Sequence, residues 1–179
     1  MASSESTMIY FMLDLSESDM LNTRITLGGN MNNAEISSGL RMSSIFDAAT
    51  VTDMEVIASP DIFVQRDSAP SSFATSIHMD GVNWRGAEVT DLSLTVSDCT
   101  IIADKQDASG AHGILISENE FTDASFIGSF LTINGDVTIH ASNSNPSGVC
   151  AANGILVSGS DFTNSSFRGR RAMMLNITT

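Results

Sequence analysis

The sequence predicts an all-β fold: parallel strands wound into one β-solenoid, with irregular loops or hairpin arms between its coils. Three observations carry this. Two long segments, GILISENEFTDASF (Gly113 to Phe126) and GILVSGSDFTNSSF (Gly154 to Phe167), nearly superimpose at an offset of 41 residues. Large apolar residues recur five apart, as in Ile116, Phe121, Phe126 and Leu131, or Met79, Trp84, Val89 and Leu94. Helix formers do not run together, and Ser, Thr, Asn and β-branched residues dominate instead, so little helix is expected. An interval of five suits neither a helix, which wants three and four, nor a flat strand, which wants two. It suits a chain that turns a corner every five residues and puts one inward side chain on each face of a four-sided coil of ~20 residues. Alternating strands with frequent turns would also suit an antiparallel sandwich. A sandwich has no need of near-identical long repeats, whereas a stacked solenoid has.

The elements follow in chain order. All 179 residues read as a single solenoid domain, with 1–28 as an N-terminal cap and 29–179 as repeats. The cap carries the apolar run MIYFMLDL, and no Lys or Arg precedes Arg24, so a secretory signal peptide is not supported. SIHMDGVNWRGAEV (Ser76 to Val89) fits the long repeat 37 residues ahead of its next copy; RMSSIFDAATV (Arg41 to Val51) and NMNNAEI (Asn30 to Ile36) fit loosely. The frame gives a first column of Met31, Phe46, Trp84, Phe121 and Phe162. A second column follows five residues on: Ile36, Val51, Val89, Phe126 and Phe167. Two residues before each of the latter stands a small side chain: Ala34, Ala49, Ala87, Ala124 or Ser165.

A second block matches LTVSDCTIIAD (Leu94 to Asp104) with LTINGDVTIHAS (Leu131 to Ser142), and more weakly with VIASPDIFVQ (Val56 to Gln65). Apolar residues alternate there with Thr, the period of a strand. Asn134-Gly135 reads as a tight turn between alternating runs. Polar stretches rich in Gly, Pro, Ser and Asn (65–76, 104–112 and 142–153) read as variable loops, where partner recognition is expected. The end, AMMLNITT, reads as an apolar strand.

FTNSSFRG (Phe162 to Gly169), FTDASFIG (Phe121 to Gly128) and NWRGAEVTD (Asn83 to Asp91) resemble the pentapeptide-repeat family: a small residue, Asp or Asn, Leu or Phe, a polar residue, then often Gly. The resemblance covers about half the chain and implies a right-handed β-helix. It also implies a possible role, since some members are acidic rods that imitate DNA and occupy DNA gyrase. The strand blocks between the pentapeptide-like units interrupt that register. Mixed rungs of this kind are similar to those of right-handed β-helices in surface adhesins and phage tail proteins.

The charge excludes some functions. Acidic residues outnumber Lys and Arg 21 to 8, a formal charge of −13, so direct binding to nucleic acid is not expected. No stretch approaches ~20 consecutive apolar residues, so no helical membrane span is expected. Localisation stays open between virion, extracellular space and cytoplasm. Cys99 and Cys150 cannot form a disulfide framework. Cys99 aligns with Val137 at an inward strand position and reads as a small buried hydrophobe, while Cys150 reads as a loop residue with no basic neighbour to activate it. His78, His112 and His140 lack metal-ligand spacing and read as exposed or turn residues. Asp61, Asp98 and Asp136 would stack in a column, which could hold Ca²⁺ or simply hold turns.

No catalytic residue, cofactor or metal is therefore assigned. The function expected is a non-enzymatic structural or binding module working in an assembly such as a phage particle, a surface appendage or a secreted protein. Its partner would be a protein, or another copy joined through the solenoid ends. The gyrase-binding DNA mimic and a glycan-cleaving or glycan-binding β-helix are the alternatives. Residues 1–167 hold all 21 acids against five bases, after which Arg168, Arg170 and Arg171 cluster; these three are the candidate docking residues for an acidic partner.

Overall fold

The computed structural model describes residues 5–32, 36–65, 71–105, 108–143 and 149–168. Fourteen strands are found there and no helix. All of their pairings are parallel, and they fall into three sheets. The first sheet holds β1 (Glu5–Phe11), β4 (Ile36–Met42), β7 (Ser71–Asp80), β10 (Ala108–Ser117) and β13 (Val149–Ser158) in that order. The second stacks five three-residue strands: β2 (Asp19–Leu21), β5 (Thr50–Thr52), β8 (Glu88–Thr90), β11 (Ser125–Ile127) and β14 (Ser166–Arg168). The third stacks β3 (Arg24–Asn32), β6 (Glu55–Gln65), β9 (Ser93–Lys105) and β12 (Phe130–Asn143). Neighbours in each sheet are one repeat apart, so the chain is a β-solenoid whose layers rest on one another. No antiparallel pair occurs among the described residues, so no hairpin arm is found there.

The five-residue spacing proves to be a corner of the coil and not the whole of it. Successive layers of the first sheet are offset by 31, 37, 37 and 41 residues (Glu5 with Ile36, Ile36 with Phe73, Ser71 with Ala108, Ala108 with Val149). A layer is therefore nearly twice the ~20 residues of a square coil. Met79, Trp84, Val89 and Leu94 run from the end of β7, through β8, to the start of β9, and all four are buried. The remainder of each layer is made by the two long strands, which follow strand alternation.

At this corner Phe46, Trp84, Phe121 and Phe162 form one column. Phe46 stacks on Trp84 with centroids 4.2 Å apart, and Phe121 on Phe162 at 4.7 Å. Phe126 stacks on Phe167 at 4.9 Å in the second column. Equivalent residues of successive repeats thus occupy equivalent places in successive layers. The small residue two places earlier follows a tight turn: Ala87 N–H donates to Trp84 O, and Ala49 N–H to Phe46 O. In two layers the residue ahead of the aromatic, Asn83 or Asp161, is Asn or Asp for a physical reason. Asn83 Oδ1 accepts the Arg85 N–H, and Asp161 Oδ1 accepts both the N–H and the hydroxyl of Thr163. The side chain closes the turn that brings the chain round.

The Met31–Ile36 frame does not hold. Met31 pairs with Ile62 in the third sheet, and Ile36 starts β4. The corner of the first layer is instead Leu15, Met20 and Ile25, also five apart: Asp14 bridges Ile45, Met20 pairs with Val51, and Ile25 with Val56. Its exposed, acidic sequence (LSESDMLNTRI) hides the apolar period. Residues 5–32 thus supply one layer at the end of the stack.

Asn134-Gly135 is likewise not a hairpin turn. β12 runs through it, and the register shifts between Asn134 and Val137. The positive φ of Gly135 (70°) and of Asp98 beneath it (47°) makes a bulge that bends both strands together. Asp61 and Asp98 are spent at this bend: Asp61 Oδ1 accepts the Thr100 N–H at 2.8 Å, and Asp98 Oδ1 the Asp136 N–H at 3.2 Å. The stretches expected as variable loops are shorter than the sequence suggests. Residues 71–76, 108–112 and 149–153 are already strand, because parallel stacking on the neighbouring layers satisfies their backbone even where the sequence is polar.

Candidate functional site

Two features stand apart from the repetitive interior. The first is a polar cluster drawn from all five layers of the first sheet. Tyr10, Arg41, His78 and Leu115 pair in one register column, and Thr75, His112 and Asn153 in another. Arg41 donates to Asp80 at 2.5 Å, and its guanidinium lies 5.8 Å from the centre of the Tyr10 ring. The Ser117 hydroxyl donates to Asp80 Oδ1 at 3.1 Å, and the Ser117 oxygen lies 2.9 Å from His78 Nε2. Ser117 has one proton, already given to Asp80, so His78 donates through Nε2 and carries a bare Nδ1. That nitrogen is buried without a partner among the described residues. The Phe73 ring lies between His78 and His112, with centroids 5.6 and 5.2 Å away, and Asn153 donates to His112 Nδ1 at 3.3 Å.

The two histidines are therefore buried, not exposed or in turns; His140, in β12, is exposed. Burial lowers the pKa of His78 to about 4, with the Asp80 charge opposing this and Arg41 adding to it. Burial lowers His112 to about 4 as well, reinforced by His78. Burial alone would raise the Asp80 carboxyl; the Arg41 hydrogen bond, the charge of His78 and the Ser117 hydroxyl together hold it below its ordinary value. The cluster contains the residue types of a nucleophilic triad in the wrong order. A carboxylate must hold Nδ1 while Nε2 takes the serine proton. Here Asp80 sits on the Nε2 side, 3.8 Å away, and itself accepts the hydrogen bond from the Ser117 hydroxyl. This geometry ties β4, β7 and β10 together and does not activate Ser117. Sequence reading missed the cluster because its members lie 37 to 39 residues apart. Only the register of the layers, readable from the long repeat, unites them.

The second feature is the pair of outer layers. In the middle layers Phe46, Trp84, Val51 and Val89 are at most 1% exposed, whereas Phe162 and Phe167, which continue the same two columns, are 42% and 55% exposed. Val157 in β13 is exposed too. Arg168, the one candidate docking residue among those described, is exposed in β14, where it pairs with Ile127. Arg170 and Arg171 lie outside the described residues. At the other end Leu21 in β2, with Met12 and Leu13 ahead of it, is exposed, beside the exposed carboxylates of Asp14, Glu17 and Asp19.

The remaining candidates fall elsewhere. Cys99 faces inward, where burial first, then Asp61 and Asp98, pushes its thiol up to about 12. Cys150 is exposed within β13 and not in a loop. Among the described residues no three His, Cys, Asp or Glu side chains gather as metal ligands, and no helix is long and apolar enough to cross a membrane. No family model matches the chain, and no curated protein is similar to it.

Proposed function

We propose that this β-solenoid is a non-enzymatic structural or binding module that works inside an assembly, engaging a protein through its outer layers. The exposure of Phe162 and Phe167 carries the reading. Each is stacked on one side against a buried ring and open on the other, so two interior columns run out into solvent. Covering them removes apolar area from water at ~25 cal/mol per Å². An exposed parallel edge also offers unpaired backbone groups. The polar cluster supports the reading from the other direction, because its hydrogen bonds join layers and leave Ser117 without a base.

The gyrase mimic has less support. Arg24–Glu55, Arg41–Asp80 and Arg85–Asp47 ion pairs interrupt the acidic surface that a rod imitating DNA needs. The test is native mass measurement of the protein isolated from its source. Wild-type chain is expected in a complex and the Phe167→Asp variant outside it, with circular dichroism unchanged. Wild-type chain found only as a free monomer would overturn the reading.

A further inference from the structure

We infer that the partner of the last described layer is the first layer of a second copy, stacked head to tail in register. The inference rests on the assembly reading and names its partner. Three observations bear on it. The first two sheets end in parallel edges of the same kind, β13 and β14 at one end and β1 and β2 at the other. Continuing the register that relates all five layers sets Ser166, Phe167 and Arg168 beside Asp19, Met20 and Leu21 of the next copy. In the same frame Phe162 meets Leu15, and Val157 meets Phe11. The side chains that extend the interior columns past one end thus meet those that begin them at the other.

Charge agrees with this polarity. The first layer exposes Asp14, Glu17 and Asp19, and its Arg24 is already paired with Glu55 of the next layer. The last described layer, 149–168, holds Asp161 and Arg168, and the chain's arginine cluster (Arg168, Arg170, Arg171) begins there. Stacking like ends would set Asp14, Glu17 and Asp19 against themselves, or arginine against arginine. The proposal concerns the first two sheets. A head-to-tail contact that continues the solenoid's own layer-on-layer stacking advances each copy along the stack, so association is open-ended.

Cysteine pairing tests the polarity. Residues in register on adjacent strands lie about 4.8 Å apart at Cα, within disulfide range. In the full chain with Cys150→Ser, which leaves only the buried Cys99, Asp19→Cys and Ser166→Cys are made separately. Mixing the two under mild oxidation should give a cross-linked dimer that neither gives alone. A dimer from Ser166→Cys alone, or from Asp19→Cys alone, would overturn the proposal in favour of like-end contact. No link in the mixture would also overturn it, while the assembly reading would stand if the wild-type chain still left its source in a complex. A second measurement avoids new cysteines. In this register Arg168 stands beside Leu21 and diagonal to Asp19, within reach of its long side chain, so Arg168→Glu should weaken self-association at low salt by roughly fivefold, the scale of one exposed ion pair, and Asp19→Arg in the same chain should restore it. Unchanged association in Arg168→Glu, or no restoration by Asp19→Arg, would count against the contact.

Discussion

His78 and His112 show how a residue's role depends on its neighbours more than on its type. Each is held neutral by burial around Phe73, with a pKa of about 4 in the folded chain against an ordinary 6.5. Between those values the unfolded chain binds more protons than the folded one. Stability is therefore full above about pH 6.5 and falls as the pH drops toward 4, by roughly 1–3 kcal/mol for each imidazole. Urea unfolding at pH 7.5 and at pH 4.5 checks this, and His78→Gln should flatten the difference. A glycine gives a second prediction. A Cβ at Gly113 would lie 2.6 Å from both Gly154 O and Ile133 Cδ1, so Gly113→Val should cost about 1–3 kcal/mol or more. Neither effect is legible in the sequence, where His112 follows a Gly- and Ser-bearing stretch and resembles a loop residue. The burial of Cys99 was legible, because its repeat partner Val137 is apolar.

At the scale of the element, the corner is the unit that the sequence reveals best. Its aromatic column could be read from spacing alone, since each position repeats in the next layer. Trp84 is the column's most confined member: it stacks on Phe46, lies parallel to Phe121 at 6.5 Å, and meets the edge of Phe126. Trp84→Ala should destabilise by about 3–5 kcal/mol through the cavity it leaves. Trp84→Phe should cost less than about 1.5 kcal/mol, because the indole N–H has no partner among the described residues and its loss offsets part of the lost packing. Thermal melts of both variants give the comparison. Where the repeat is weak the spacing misleads. Met31 took the place of Leu15 because Asn30 to Ile36 copies the pattern by chance, whereas Leu15, Met20 and Ile25 carry it through polar surroundings. Asn134-Gly135 misled differently: its positive φ serves a bulge, and a dipeptide alone cannot say whether the neighbouring strand bends with it.

For the whole molecule, each layer contacts mainly the layers above and below, so stability should be graded along the stack. Amide hydrogen exchange should be slowest in β7 and β9, which have partners on both sides, and faster in β1, β13 and β14, which have one among the described residues. The parallel architecture was readable because long repeats fix which residues share a column. The length of a layer was not, since the five-residue rhythm covers only the corner and the long strands between corners obey a different period.

The same exchange experiment tests the assembly claim most directly when run at two protein concentrations about a hundredfold apart. If outer layers of neighbouring copies cover one another, protection at Ile9 to Phe11 and at Ile155 to Val157 should rise with concentration while β7 stays unchanged. Equal exchange at those segments across the range, with the chain a monomer throughout, would contradict the account.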